Sequence, residues 1–220
     1  KYFKREDKVL DIGAGTGRLS VPMHDMGCRV TSVDTSQSML SIINKKRKQI
    51  ETILVQDEKL PFDNETFDGV VSCDAMVHFL NWRDFLREHY RVLKKGGYIV
   101  FNIYNDQHLE KISDNKYVRA SYIAAGKGIY ATLTRRELEE FCEEFEDLKL
   151  MDMIPYNYLA QNAETYGVLT RTEMNKLGVY YDACFSSPEL GKLLEKFEEA
   201  IHKQPETVSA CNLCVLKKGV

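Results

Sequence analysis

The residues whose types and spacing suggest chemistry lie near the start of the chain, in a glycine turn preceded by an acid. Residues 9–17 read Val-Leu-Asp-Ile-Gly-Ala-Gly-Thr-Gly, with glycine at every second position from 13 to 17. A glycine has no Cβ, so a ligand can approach the backbone closely, and the first amides of a following helix are free to donate. The turn therefore predicts a ligand-binding loop.

Two acidic residues near this turn indicate the kind of ligand. Asp11 is a poor neighbour for a pyrophosphate but suits a cation, such as a ligand that carries a sulfonium and an ammonium. Asp34 closes the second apolar run and can accept two hydrogen bonds from a ribose diol, whichever nucleotide carries it. The dinucleotide fingerprint G-x-G-x-x-G has a different spacing, which disfavours a nicotinamide cofactor. For Asp11 alone, capping of the next helix is the alternative.

The glycine turn and the two acids can form one site only if strands bring their ends together. The sequence of the first half of the chain predicts such strands. Apolar runs alternate with helical patterns, which is typical of a parallel sheet with helices on both faces. Pro22 is tolerable only in the first turn of its helix. Asn81 is the expected cap of the third helix, and the glycine pair at 96–97 its stop. Strands are predicted at 8–12, 29–34, 52–55, 67–72 and 98–104, and helices at 18–26, 36–49 and 81–95.

The second half of the chain is less regular. Thr134 and Glu137 form a capping box for a helix to about residue 145, and Ser187 caps a helix at 188–203. A further helix is predicted near 164–177, and strands at 148–154 and 208–217. Nine of the 12 tyrosines lie beyond residue 100. Tyrosine combines an apolar ring with one hydrogen bond, so this enrichment suits either a pocket for a polar organic molecule or ordinary packing.

Residues 8–104 resemble the class I S-adenosylmethionine-dependent methyltransferases of the small-molecule branch. The glycine turn looks like that family's first motif, and segments 56–62, 67–72 and 91–97 follow in the expected order. The resemblance implies a Rossmann-like three-layer α/β sandwich with a mostly parallel seven-stranded sheet, an antiparallel last strand and a helical lid or insert. It also implies S-adenosylmethionine as cofactor, with S-adenosylhomocysteine as product. The implied cofactor contacts are Asp11, Gly13, Ala14, Gly15, Asp34, Thr35, Met39, Asp57, Glu58 and Cys73.

Within this resemblance the chain is a single domain with three parts. Residues 1–104 form the cofactor-binding half, 105–207 the substrate-binding insert and helices, and 208–218 the final strand. A general base is needed only if the methyl acceptor must lose a proton. His78 follows the fourth strand and His108 the fifth, so both are candidates for a base or a pocket wall. His89, in the middle of a predicted helix, fits a structural role better.

Other patterns exclude several classes of site and partner. Cys211 and Cys214 have C-x-x-C spacing on a predicted strand, where residues three apart point to opposite faces, so we expect two core residues and no metal site. The net charge of −3 does not favour nucleic acid, and the basic run at 45–48 is typical of a solvated helix end. Residues 72–75 also lack the Asn/Asp-Pro-Pro-aromatic motif of nucleobase-amino methyltransferases.

No apolar stretch approaches the ~20 residues that a membrane span requires. Scattered cysteines fit a reducing compartment, so the expected location is cytoplasmic. The chain begins at Lys1 without a methionine and reaches its first predicted strand at Lys8, which is typical of a trimmed N-terminus.

The predicted function is methyl transfer, by in-line displacement, to an oxygen or nitrogen of a small or medium polar metabolite. A sugar, a glycan or a natural-product intermediate fits this description. Two alternatives stay open: an NAD(P)-dependent oxidoreductase, and a non-catalytic cofactor-binding protein of the same fold. The expected partner is a small-molecule substrate, and both a monomer and a homodimer are compatible with the sequence.

Overall fold

The computed structural model describes residues 1–56, 59–76, 79, 81–104, 133–156, 187, 189–190, 192–193, 196, 200 and 211–219. The chain forms two compact units. The first comprises residues 1–103, 133–153 and 213–220, and the second comprises 104–132 and 154–212. The glycine turn and its surroundings belong to the first unit. The predicted division at 1–104, 105–207 and 208–218 stays a prediction.

A seven-stranded sheet has the order β3-β2-β1-β4-β5-β7-β6. Parallel pairing joins β1 to both β2 and β4, β2 to β3, and β4 to β5, whereas the last strand is antiparallel. This arrangement confirms the predicted α/β Rossmann-like fold. The strands are β1 (Lys8–Ile12), β2 (Arg29–Asp34), β3 (Glu51–Leu54), β4 (Phe67–Ser72), β5 (Leu93–Tyr104), β6 (Leu148–Tyr156) and β7 (Cys211–Lys218).

The strand order reverses between β1 and β4, and this reversal defines where a ligand can bind. From β1 the chain moves outward through β2 to β3, then returns to place β4 on the other side of β1. In open parallel sheets such a switch point leaves a crevice beyond the carboxyl ends of the strands, and ligands bind there. The loops that follow β1 and β4 flank this crevice.

Four helices have bounds within the described residues: α1 (Ser20–Asp25), α2 (Gln37–Lys46), α3 (Trp82–Val92) and α4 (Arg135–Cys142). Pro22 lies in the first turn of α1, as predicted. The Ser36 hydroxyl caps α2 by accepting from Met39 N, and Thr134 and Glu137 form the predicted capping box of α4. α2 ends earlier than predicted, at Lys46, and two cations of the basic run have partners here. Lys46 donates to the Thr16 carbonyl, and Arg47 pairs with Asp25 at 2.7 Å.

The predicted end of the third helix was wrong, and so was the role of the glycine pair behind it. α3 ends at Val92 and β5 begins at Leu93. Gly96 and Gly97 lie inside β5, in a bulge between two paired positions. Phe67 of β4 pairs with Leu93 of β5, and the next pair joins Gly69 to Tyr98, so β5 contains more residues than β4 between these pairs. Gly96 has a φ of 84°, and a Cβ on Gly97 would lie 2.6 Å from the Asp68 carbonyl oxygen. The bulge therefore requires these glycines. Asn81 likewise makes no capping bond to the backbone of α3.

Two apolar clusters form the core, one on each face of the sheet. Neighbouring residues of β1 alternate between them: Val9 packs in the cluster with Leu40 and Ile43 of α2, and Leu10 packs in the cluster with Leu86 and Leu138. The helices thus cover both faces, which is the predicted three-layer arrangement. Within the described part of the chain, no helix combines the length and apolar character that a membrane crossing requires.

Two later segments lie wholly or partly beyond this description. The helix predicted at 164–177 lies outside the described residues. The described residues of the helix predicted at 188–203 are helical, and Ser187 Oγ accepts a hydrogen bond from Leu190 N at 3.4 Å, as its predicted cap role requires.

Candidate functional site

The glycine turn follows β1 at the switch point, and each of its glycines has a left-handed backbone. The φ angles of Gly13, Gly15 and Gly17 are 69°, 54° and 84°. Residues other than glycine rarely adopt this backbone region, so the backbone conformation of the turn explains why glycine recurs at every second position. The amides of Gly13 and Ala14 both donate to the Val33 carbonyl, at 2.9 and 3.0 Å. These bonds fold the turn over the end of β2.

The three glycines face different surroundings. A Cβ on Gly13 would lie 2.5 Å from the Cβ of Ala75, in the loop after β4. A Cβ on Gly17 would lie 3.0 Å from Ile43 of α2. A Cβ on Gly15, by contrast, would meet no atom of the described residues within 4 Å. Gly13 and Gly17 therefore allow close packing inside the protein, whereas Gly15 is the position that leaves room for a ligand.

The carboxylate of Asp34 holds two backbone amides in place. Its Oδ2 accepts from Gly15 N at 2.8 Å and its Oδ1 accepts from Ser36 N at 2.9 Å. Each carboxylate oxygen has a second lone pair, so Asp34 can still accept hydrogen bonds from a diol. The sequence predicted only that Asp34 binds a ribose diol. It did not predict the contact with the Gly15 amide, because that contact forms between chain segments 19 residues apart.

Asp11 is buried beneath the turn, with 2% of its surface exposed. Ser20, the first residue of α1, donates its hydroxyl to Asp11 Oδ2 at 2.5 Å and also donates its backbone amide. Ser32 on β2 in turn donates its hydroxyl to Ser20 Oγ at 2.8 Å. Burial raises the pKa of Asp11 to about 6, although the Ser20 hydrogen bonds and the nearby Arg18 charge oppose this shift. At neutral pH the carboxylate is thus mostly ionised, and it places a negative charge under the turn.

The loop after β4 forms the opposite wall of the crevice, and a polar cluster ties it to the glycine turn. The Nη2 of Arg18 donates hydrogen bonds to Cys73 Sγ, at 3.1 Å, and to Asp74 Oδ2. Asp74 has a left-handed φ of 56°. Asn102 on β5 supports it, because Asp74 N donates to Asn102 Oδ1 and Asn102 Nδ2 donates to Asp74 Oδ1, both at 2.6 Å. Burial raises the pKa of the Cys73 thiol to about 11, so it is protonated near neutral pH.

Sequence reasoning missed three members of this cluster, namely Arg18, Asp74 and Asn102. Their positions were an available signal, since Arg18 directly follows the glycine turn and Asp74 follows the fourth strand. Asn102 lies in a nearly continuous apolar strand, where one polar side chain needs a partner. Only the fold shows that the three residues meet.

The remaining predicted site residues fall into two groups. Ala14 is buried, Thr35 is exposed just before α2, and Met39 is 42% exposed. An exposed methionine one turn from Asp34 is available to a ligand. Four predicted residues lie outside the described residues, namely Asp57, Glu58, His78 and His108.

His89 is fully buried on α3 and holds this helix to β4. Its Nδ1 donates to the Phe85 carbonyl at 2.7 Å, and its Nε2 accepts from the Ser72 hydroxyl at 3.2 Å. This tautomer follows because a carbonyl can only accept. Burial lowers the pKa of His89 to about 4. The imidazole is therefore neutral, fully hydrogen-bonded and unsuited to act as a base, in agreement with the predicted structural role.

No group of three or more His, Cys, Asp or Glu side chains within the described ranges is arranged to hold a metal ion. Cys211 and Cys214 both lie on β7, as predicted, and both are buried.

The described residues fit a nucleoside that carries a sulfonium. Gly15 provides a position where an added Cβ would take up ligand space, Asp34 offers carboxylate oxygens for a ribose, and Asp11 supplies negative charge for a cation. The arrangement can bind and orient such a ligand at the switch point. The ionised Asp11 beneath the turn would repel a pyrophosphate, which carries two negative charges.

Comparison with known proteins finds similarity in the first half of the chain. The family described as "Methyltransferase domain" matches residues 10–101. A demethylmenaquinone methyltransferase of Chlorobaculum tepidum is 39% identical over 95 residues, which make up 43% of this chain and 39% of that protein. The chain thus spans about two fifths of the length of this relative.

Solved structures share the fold over almost the whole chain. One comes from Haloferax volcanii, where a methyltransferase is in complex with the Trm112 activator; its TM-score is 0.64 at 17% identity, over 99% of this chain and 84% of that one. Another is a phosphoethanolamine N-methyltransferase of Haemonchus contortus in complex with phosphomonomethylethanolamine and S-adenosylhomocysteine. Its TM-score is 0.61 at 17% identity, over 99% of this chain and 50% of that one. At these identities the likeness shows a common fold.

Proposed function

We propose that this chain, whose residues 10–101 match the methyltransferase-domain family, is a class I S-adenosylmethionine-dependent methyltransferase that transfers a methyl group to a small or medium polar metabolite. The observation that carries this proposal is the left-handed glycine turn at the switch point. Within it, Gly15 leaves room for a ligand and Asp34 fixes the Gly15 amide. The buried Asp11 beneath the turn favours a cationic ligand over a pyrophosphate.

S-adenosylmethionine, when bound, supplies a methyl group on a cationic sulfur that leaves as a neutral thioether. The chain's own residues bind and orient the two reactants, and such positioning lowers a barrier by roughly 7–11 kcal/mol. In this proposal Gly15 and Asp34 hold the nucleoside, and Asp11 provides a compensating charge. Ala14, Thr35, Met39, Asp57, Glu58 and Cys73 complete the proposed cofactor contacts.

A base is required only for an acceptor that must lose its proton, and the described residues limit the choice. His89 has both ring nitrogens engaged, and Asp11 lies behind the turn with its carboxylate bonded to Ser20. We assign the base, where one is needed, to His78 or His108. In sequence His78 follows β4 and His108 follows β5, and these two parallel strands end at the same edge of the sheet.

The acceptor atom that we propose is an oxygen or nitrogen of a sugar, a glycan or a natural-product intermediate. The tyrosine-rich second half supports a polar organic acceptor. The Haemonchus contortus structure, which has a similar fold, contains phosphomonomethylethanolamine. The Chlorobaculum tepidum relative, at 39% identity, is named for a quinone precursor, and this favours a quinone-type acceptor as the second candidate.

Cofactor identity is tested by calorimetric titration of the intact chain with S-adenosylhomocysteine, NAD and ATP. We expect binding of S-adenosylhomocysteine alone, and at least a tenfold loss of affinity in Asp34→Ala, because the variant lacks both the ribose acceptor and the anchor of Gly15 N. The matched control is Asp63→Ala, which removes an exposed acid from the loop before β4. A preference for NAD would favour the oxidoreductase alternative.

Acceptor class is tested with S-adenosylmethionine labelled on its methyl group and panels of sugars, amines, phenols and quinols. Turnover on a hydroxyl or amine panel supports the first candidate, and turnover on quinols alone supports the second. Turnover confined to proteins or nucleic acids would contradict both. Tight cofactor binding without turnover on any panel would favour the non-catalytic alternative.

A further inference from the structure

A cavity of about 380 Å³ opens at the edge of the sheet opposite the crevice. It lies beside the first residues of β1, β4 and β5, which run parallel, whereas the crevice lies beyond the carboxyl ends of these strands. The five residues of β1 separate the two edges by about 16 Å. A small molecule in this cavity therefore does not occupy the crevice.

Lysines dominate the charge around this cavity. The charged side chains that line it are Lys1, Lys4, Lys94, Lys95, Asp7 and Asp68. Lys94 pairs with Asp68 at 2.7 Å, and Lys1 pairs with Asp152 of β6 at 3.5 Å. Among the described residues, the ammonium groups of Lys4 and Lys95 have no acidic partner within ion-pair distance. Like charges around one cavity repel each other, so an anion placed between them is stabilised.

Both aspartates of the cavity already have partners. Asp68 accepts from Lys8 N at 2.8 Å and from Lys94 Nζ at 2.7 Å, and Asp7 accepts from Lys4 N at 2.9 Å. These hydrogen bonds partly compensate the two carboxylates. The excess of positive charge therefore remains with Lys4 and Lys95.

The chain segment that forms one wall of the cavity is held firmly to the sheet. Phe3 packs against the apolar core, the Tyr2 hydroxyl donates to Asp152 Oδ2 at 2.5 Å, and the Tyr2 ring lies 5.4 Å from the ring of Tyr98. On the β5 side, Gly96 has a left-handed φ of 84°, and a Cβ added there would meet no atom of the described residues within 4 Å. The cavity is thus preformed, and aromatic rings make up part of its lining.

We propose that this cavity is a second binding site, which takes the phosphate group of a small organic phosphomonoester. At neutral pH such a group carries a charge of about −1.5 to −2, which the two unpaired lysines match. Lysine binds phosphate as a point charge, whereas a planar carboxylate is matched better by arginine. No arginine is among the described residues that line the cavity.

The size of the cavity favours more than a bare phosphate ion. Its volume of about 380 Å³ lies at the lower end of the range of small-ligand pockets, which is roughly 300–1,000 Å³. An organic group attached to the phosphate can therefore pack beside the rings of Tyr2 and Tyr98. This inference does not depend on the proposed function, because it uses residues at the other edge of the sheet.

Calorimetric titration of the intact chain with phenyl phosphate, inorganic phosphate and benzoate tests this site. We expect phenyl phosphate to bind more tightly than inorganic phosphate, because its ring can pack on the tyrosines, and benzoate to bind most weakly. Lys4→Gln and Lys95→Gln should each weaken phenyl phosphate about fivefold, since each removes one unit charge close to the anion. Both lysines are exposed, so these variants should fold, and thermal unfolding checks this.

The matched controls are Lys45→Gln and Lys48→Gln, which make the same change of charge at exposed positions near the end of α2. Neither should change the affinity for phenyl phosphate, and equal losses in the control and test variants would overturn the proposal. Benzoate that binds as tightly as phenyl phosphate, or a wild type that binds neither phosphate compound, would also overturn it.

Competition with S-adenosylhomocysteine separates this site from the crevice. Saturation of the chain with S-adenosylhomocysteine should leave the number of bound phenyl phosphate molecules unchanged, and displacement would contradict a second site. If the chain binds phenyl phosphate through Lys4 and Lys95 but does not bind S-adenosylhomocysteine, the proposed function fails while this inference stands.

Discussion

At the scale of single residues, the site depends on acids that act on the backbone as well as on a ligand. Asp34 fixes the amides of Gly15 and Ser36, and Asp11 accepts from Ser20 at the start of α1. Each carboxylate therefore shapes the glycine turn before a ligand is present. A substitution at either position changes both the turn and the charge of the site.

Asp11→Asn should change the pH dependence of stability. Burial raises the pKa of Asp11 to about 6 from 3.8, so the folded state binds its proton more tightly than the unfolded state. Its contribution to stability is full below pH 3.8 and is lost as pH rises through about 6, a change of roughly 3 kcal/mol at 1.36 kcal/mol per pKa unit. Urea unfolding at several pH values should show the wild type losing stability relative to the variant over this window. Parallel curves would contradict the burial argument, and Asp63→Asn is the exposed control.

The two glycines Gly13 and Gly15 should respond differently to alanine. Gly13→Ala adds a methyl group 2.5 Å from the Ala75 Cβ, so strain from overpacking adds to the left-handed backbone, and we expect a loss of on the order of 3 kcal/mol. Gly15→Ala meets no described atom and should cost about 1–2 kcal/mol, while it weakens S-adenosylhomocysteine at least tenfold. Chemical denaturation and titration measure the two effects.

A second substitution tests the contact itself. Ala75→Gly should recover part of the stability lost in Gly13→Ala, since it removes the methyl group that the new Cβ meets. The same change should give no recovery in Gly15→Ala. Recovery in both backgrounds would mean that the backbone, and not the contact, causes the loss.

At the scale of elements, buried polar contacts set the position of α3 against the sheet. His89 bridges the Phe85 carbonyl and the Ser72 hydroxyl, and Ser72 is the last residue of β4. The loop that carries Cys73 and Asp74 begins directly after Ser72. This contact thus anchors the strand end from which one wall of the crevice starts.

His89→Gln should reveal this anchor in the opposite pH direction to Asp11. The pKa of His89 is lowered by burial from 6.5 to about 4, so the folded state excludes its proton. The stabilising contribution is complete above pH 6.5 and is lost as pH falls towards 4, on the order of 3 kcal/mol in all. Unfolding measured from pH 7 to pH 4 should show the wild type's advantage shrinking. An advantage that is constant over this range would mean that His89 contributes by packing alone.

At the scale of the whole molecule, the ligand and the fold should stabilise each other. A ligand that binds only the folded chain raises the free energy of unfolding by about 2.7 kcal/mol at one hundred times its Kd. We therefore expect S-adenosylhomocysteine, but not NAD, to raise the thermal midpoint of the wild type. Asp34→Ala at the same ligand concentration should show a smaller rise. An equal rise in both proteins would place the ligand away from Asp34.

The sequence alone determined the sheet class, most element positions, the glycine turn and the acids beside it. These features follow from local rules: apolar periodicity, capping residues such as Thr134 and Glu137, and the backbone freedom of glycine. Such signals lie within a few residues of one another, so they can be read along the chain. For the glycine pair inside β5, the predicted role as a helix stop was wrong, because the pair lies in a bulge that forms only when β5 pairs with β4.

Only the tertiary structure decided which residues meet across the crevice. In the polar cluster, Arg18 lies 56 residues from its partner Asp74, and Asp74 lies 28 residues from its partner Asn102. No local sequence pattern links these residues. The different surroundings of Gly13 and Gly15, and the burial that shifts the pKa values of Asp11 and His89, likewise depend on packing between distant segments. Periodicity predicts the faces of single elements, whereas contacts between loops depend on strand order and register.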